Sequence, residues 1–153
     1  MIDVEIEDPA WGAALPEAEA LVAAAARAAL AGAGRTGGVV VLLADDASVR
    51  DLNNRFRGKD APTNVLSFPA PASPEDHLGD VALAYGVCAL EAAQQGKPLA
   101  HHLQHLVAHG VLHLVGYDHE NDADAADMEG LERTVLAGLG VPDPYGGEQG
   151  DDD

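Results

Sequence analysis

A chain of 153 residues with ordinary apolar and charged fractions is the size of one domain with a single buried core. Its formal net charge of -18 at pH 7 repels polyanions and membrane surfaces at long range, and no apolar run nears the ~18 residues that span a bilayer. A lone Cys88 excludes an internal disulfide, and the acidic amino-terminal stretch has neither the basic start nor the apolar core of a secretory signal, so a cytoplasmic protein is expected.

In chain order, Ile2, Val4 and Ile6 alternate with acids and predict a half-buried strand stopped by Pro9. An Ala-rich helix follows over about 16–30, with Pro16 at its start and Gly32 and Gly34 just past its end. The continuous apolar run from Gly38 to Ala44 predicts a central strand covered on both faces. Asp45 and Asp46 cap a second helix whose buried stripe should be Val49, Leu52 and Phe56. It ends in the turn-rich Arg57-Gly58-Lys59-Asp60. Arg50, Arg55, Arg57 and Lys59 here reverse the global charge locally, and screening over ~8 Å at physiological salt lets such a patch act at contact.

A short strand is predicted at 65–68. Pro69, Pro71 and Pro74 then forbid regular structure, His77 should be merely exposed, and residues 80–85 form the last strand, antiparallel to the one before. Helices follow over 86–95, 99–115 and about 123–138, the first two closed by Gly96 and Gly116. Cys88 should pack as a small apolar residue. The Gly-rich acidic residues 146–153 read as a frayed tail, which leaves 1–145 as the domain. Strands and helices alternate early and helices dominate late, so the expected fold is α/β (α+β), a mixed sheet of about four strands against about five helices.

Six of the seven histidines lie between 101 and 119. At about 100° per residue, His101, His102, His105, His109 and His113 fall in one ~120° stripe, opposite Leu103, Val107, Val111 and Leu114. A helix apolar around most of its girth is buried, so its histidine face must meet something polar. His109 and His113, four apart, project one above the other and can chelate one ion. Gly116 can then turn the chain back and bring His119 within reach as the third ligand, in the spacing of a metzincin zinc site. Gly110 replaces the glutamate that serves those proteases as general base. Three imidazoles favour zinc, with nickel, copper and manganese as alternatives, and leave an open position, the mark of a catalytic site. Asp118 and Glu120 flank the third ligand as candidate partners that orient an imidazole, or as plain loop acids.

Arg57-Gly58-Lys59-Asp60, Pro62-Thr63-Asn64-Val65-Leu66-Ser67-Phe68-Pro69, Leu78-Gly79-Asp80 and the stretch from His109 to His119 together resemble the YbeY family of bacterial endoribonucleases, over about residues 38–145. The resemblance implies a single-strand-specific, metal-dependent endoribonuclease in small-subunit (16S) rRNA 3′-end maturation and ribosome quality control. It implies one zinc ion per chain on His109, His113 and His119, with Arg57 as the required basic residue. A guanidinium fork suits a phosphate and the charge that builds on it. Arg55 and Lys59 are candidate RNA contacts. The implied partners are ribosomal RNA, the small subunit, one of its proteins and a ribosome-associated GTPase, with no membrane. Two rivals remain open at this point, a non-catalytic ribosome assembly factor with a structural metal and a zinc peptidase-like hydrolase, the latter opposed by Gly110.

Overall fold

The computed structural model describes residues 2–71, 76–117 and 121–145. Strand β1 (Ile2–Ile6) leads into α1 (Pro9–Ala14) and α2 (Ala18–Gly32), then β2 (Gly38–Ala44), α3 (Asp46–Arg57), β3 (Val65–Pro69), β4 (His77–Ala84), α4 (Tyr85–Gln95), α5 (Leu99–Leu114) and α6 (Asp122–Gly138). The four strands form one mixed sheet in the order β1-β2-β4-β3. β1, β2 and β4 run parallel, joined by helical crossovers, and β3 alone is antiparallel to β4. The expected α/β fold is what forms, with six helices among the described residues where about five were expected.

The extra helix is α1. Pro9 stops the strand by opening a helix at its first position, capped by the Asp8 carboxylate on Ala10 N–H. One turn in, Trp11 is fully buried and donates its indole N–H to the Ala44 carbonyl at 3.0 Å, so this short helix plugs the end of β2. The next helix begins at Ala18, two residues later than expected, because Pro16 lies in the connecting turn.

The core lies between the sheet and α2, α5 and α6, and includes Val39, Val41 and Leu43 of β2 with Val22, Leu103 and Val107. A smaller cluster on the other face joins Leu66 and Ala82 to Val49 and Leu52 of α3. β2 therefore departs from the expected double cover. Its residues Val39, Val41 and Leu43 are buried, while Val40 and Leu42 are only half-buried under the shorter α3. The α3 stripe is corrected in the same way: Val49 is buried, Leu52 half-buried, and Phe56 is 65% exposed. Phe56 lies in the last turn, where it meets Phe68 edge to face with centroids 5.4 Å apart. His77 is also corrected. It opens β4 instead of lying in a loop, and its Nε2 bonds Asp80 Oδ1 at 2.9 Å. Among the described residues, no helix is long and apolar enough to cross a membrane.

Candidate metal centre

Helix α5 is packed on almost every side, with Leu103, Leu106, Val107, Val111 and Leu112 in the core. Gln104 donates from its side chain to the Leu21 carbonyl of α2 and anchors the helix across the domain. On the remaining stripe His102, His105 and His109 meet carboxylates, and not all meet the same one. His102 bonds Glu91 of α4 at 2.8 Å. His105 and His109 share a single carboxylate, Glu132 of α6, at 3.0 and 2.7 Å.

His109 and His113 stack as expected one turn apart, rings nearly perpendicular with centroids 4.6 Å apart. Their Nε2 atoms lie 3.2 Å from one another. Tetrahedral zinc with Zn–N bonds of ~2.0–2.1 Å separates its ligand nitrogens by about 3.3 Å, so this pair already spans one edge of such a site. His109 bonds Glu132 through Nδ1, which directs its Nε2 to the His113 side. After Leu114 the helix closes on Gly116 at φ +102, and Tyr117 N–H bonds the Leu112 carbonyl. The helix thus ends in the left-handed glycine turn expected at Gly116. His119, Asp118 and Glu120 lie outside the described residues.

Glu132 is a candidate site residue that sequence reasoning missed. It is 0% exposed, and it accepts from His105, His109 and the Tyr145 hydroxyl. Burial pushes its pKa up, but hydrogen bonds from His105 and His109, the charge near His109 and the Tyr145 hydroxyl together prevail and bring it down to about 2. It is therefore a carboxylate at neutral pH. A signal for it exists in the sequence: Met128, Glu132, Val135 and Leu136 form one helical stripe, and all four are buried. An acid on an apolar stripe needs partners, and the histidine-rich helix supplies them. His105, His109 and Glu132 also place one potential ligand atom each within 4.8 Å of one another, a second grouping able to hold a metal ion.

The missing protease glutamate has a steric cause. A Cβ on Gly110 would lie 2.8 Å from Val81 Cγ1 and 3.2 Å from Ser67 Oγ. Position 110 is where α5 crosses the sheet, and Ser67 donates to the Gly110 carbonyl at 3.0 Å. A side chain there would have to displace Val81.

His109 and His113 open onto a cleft of about 670 Å³ whose lining also includes Arg57, Asn64, Ser67 and Tyr117. Arg57 comes from the last turn of α3, where Gly58 at φ 71 ends the helix and directs the chain back toward β3. It also borders a second cleft of about 660 Å³ lined by Leu42, Leu52, Phe56 and Phe68. The other basic residues stand apart. Arg50 is held bidentate by Asp60, Arg55 pairs with Asp51 at 3.4 Å, and Lys59 is exposed; none lines the histidine cleft. Asn64 does more than turn the chain, since it donates to Glu91 at 3.0 Å and accepts from Val65 N–H at the cleft wall. Cys88 is buried as expected, and burial together with the nearby Glu91 charge pushes its thiol up to about 12.

Three comparisons bear on this arrangement. A family model described as Endoribonuclease YbeY matches residues 10–140. A protein of Paramagnetospirillum magneticum named Endoribonuclease YbeY is 54% identical, covering 95% of this chain and 95% of its own length. One of the same name from Azorhizobium caulinodans is 51% identical, covering 94% and 95%. The solution structure of TM1509 from Thermotoga maritima superposes with a TM-score of 0.60 at 26% identity, covering 89% of this chain and 87% of that one.

Proposed function

Because the chain belongs to the endoribonuclease YbeY family, we propose that it is a cytoplasmic, zinc-dependent, single-strand-specific endoribonuclease that matures the 3′ end of small-subunit (16S) rRNA and serves ribosome quality control. The observation that carries this reading is the shared cleft of Arg57 with His109 and His113, whose Nε2 atoms are 3.2 Å apart. His109 and His113, with His119 as the third ligand, would hold the zinc. The bound ion would supply Lewis-acid polarisation and water activation at the open position.

The chain's own groups divide the remaining work. Arg57 presents five N–H donors in a planar fork to the scissile phosphate and the negative charge that grows on it. His109 keeps its Nδ1 proton on Glu132 and its Nε2 toward the cleft. Position 110 offers no general base, so the nucleophile is either water or the substrate's own 2′-hydroxyl. The products separate these, because attack by the 2′-hydroxyl leaves a cyclic phosphate. Ribosomal RNA in the small subunit is the proposed substrate, with a small-subunit protein and a ribosome-associated GTPase as partners that offset the net charge of -18.

The test is metal analysis of the purified chain, then cleavage of a small-subunit rRNA 3′ precursor by wild type, Arg57→Ala, His109→Ala and His113→Ala. The expected result is bound zinc in the wild type, its loss from both histidine variants, and a ~100-fold or greater fall in cleavage with Arg57→Ala despite intact metal. Unchanged cleavage and metal content in His109→Ala would overturn the mechanism. Normal ribosome maturation in cells carrying folded Arg57→Ala or His113→Ala would favour the assembly-factor reading, to which the acidic charge lends weight.

A further inference from the structure

The last described residues reach back to the metal centre. Arg133 of α6 holds the Asp143 carboxylate, with Nε 3.2 Å from Oδ1 and 3.1 Å from Oδ2. Asp143 Oδ1 in turn accepts the backbone N–H of Tyr145 at 2.8 Å, and the Arg133 guanidinium carbon lies 5.3 Å from the Tyr145 ring centroid. The ring is clamped between this guanidinium and the edge of His105, with centroids 5.5 Å apart. Its hydroxyl donates to Glu132 Oε1, the same oxygen that bonds His105 Nε2. Oε2 of Glu132 is left to His109 Nδ1.

We propose that Glu132 and Tyr145 are positioning residues of the metal centre. Glu132 fixes His109 in the Nδ1–H tautomer that points Nε2 at the ion, and Tyr145 with His105 holds the carboxylate in place so that it orients a ligand instead of becoming one. The proposal rests on the zinc reading above. Both carboxylate oxygens are already committed to hydrogen bonds in a site closed to water, so turning one toward a cation would strip His109 or Tyr145 of its acceptor. The strap from Asp143 to Tyr145 therefore belongs to the metal centre, although it begins 30 residues beyond His113, the later of the two histidines that contact the cleft.

The experiment measures zinc affinity of the full chain by competition with a chromophoric chelator, for wild type, Glu132→Gln, Tyr145→Phe, His105→Ala and His109→Ala, with the His109 tautomer read by ¹⁵N NMR. Glu132→Gln is expected to bind zinc 10- to 100-fold more weakly and to lose the single Nδ1–H tautomer. Tyr145→Phe, which keeps the ring, should weaken zinc on the order of 5-fold and carries the test if Glu132→Gln does not fold. His105→Ala should cost far less than His109→Ala. Affinity within twofold of wild type in both Glu132→Gln and Tyr145→Phe would overturn the proposal. So would loss of zinc from His105→Ala as complete as from His109→Ala, since His105 and Glu132 would then be ligands. A wild type that binds zinc in the expected order of variants but never cuts RNA removes the nuclease reading and leaves the positioning roles standing.

Discussion

Adding one methyl group at position 110 tests why the helix carries no base there. The new Cβ would meet Val81 Cγ1 at 2.8 Å and Ser67 Oγ at 3.2 Å, both on strands of the sheet under α5. Val81 on the inner strand β4, the nearer of the two, cannot yield far without moving the backbone it rests on, so Gly110→Ala should cost about 1–3 kcal/mol of stability. Urea unfolding followed by circular dichroism measures it; a loss below ~0.5 kcal/mol would show that the helix shifts freely and that Gly110 is not a packing requirement. At this scale the site was half legible. The His109–His113 pair could be read because a four-residue step on a helix fixes geometry locally. The helical stripe around Glu132 carried a signal, but its pairing with His109 could not be read from spacing, because the bond crosses 23 residues and depends on how two helices are docked. Arg57 came through family resemblance, and its place in one cleft with the histidines depends on the tertiary fold, since α3 and α5 pack on opposite faces of the sheet.

Between elements, the α4–α5 contact is set by a buried histidine. His102 bonds Glu91 through Nε2, and its Nδ1 has no hydrogen-bond partner among the described residues. Burial lowers its pKa, the bond to Glu91 and the charge of Glu91 raise it less, and His105 and Lys97 add small decreases. The folded value thus lies below the unfolded value of ~6.5. Above pH 7.5 both states hold the neutral ring and His102 contributes no pH dependence. As pH falls through ~6.5 the unfolded chain takes up a proton that the folded one resists, so stability declines. His102→Gln, which keeps a donor for Glu91, should flatten the decline in urea midpoint between about pH 7.5 and 5.5, measured with chelator present so that metal release does not contribute. Equal slopes in both proteins would show that the buried ring protonates as easily as a free one. The elements themselves were largely legible because caps and periodicity act locally: Asp45, Gly58, Gly96 and Gly116 stand where helices begin and end. The departures arose at the margins of the sheet. Phe56 has the spacing of a buried residue but sits where α3 runs past the edge of its cover, and Pro9 stops a strand by starting a helix, which needed the tertiary pocket for Trp11 to be decisive.

For the whole molecule the decisive quantity is how few cations face the cleft. Eight basic residues stand against 26 acids, and two of the four between positions 50 and 59 are neutralised, Arg50 by Asp60 and Arg55 by Asp51. Arg57 lines the cleft, and Lys59 is exposed beside the turn that carries it. Binding of single-stranded RNA releases about 0.7 counterion per phosphate neutralised, so one or two contacts give a slope of log K against log salt near -1. Repulsion from the remaining negative surface weakens as salt rises, which flattens the slope further. Titrating a fluorescent single-stranded oligonucleotide by anisotropy from 50 to 300 mM salt should therefore give weak binding with a shallow slope, and Arg57→Ala should bring that slope close to zero. A slope steeper than about -4 would require a broad basic track that this charge distribution does not supply. Affinity for an RNA substrate must then come from contacts that salt does not titrate, and the ribosomal partner proposed above would be one source of them.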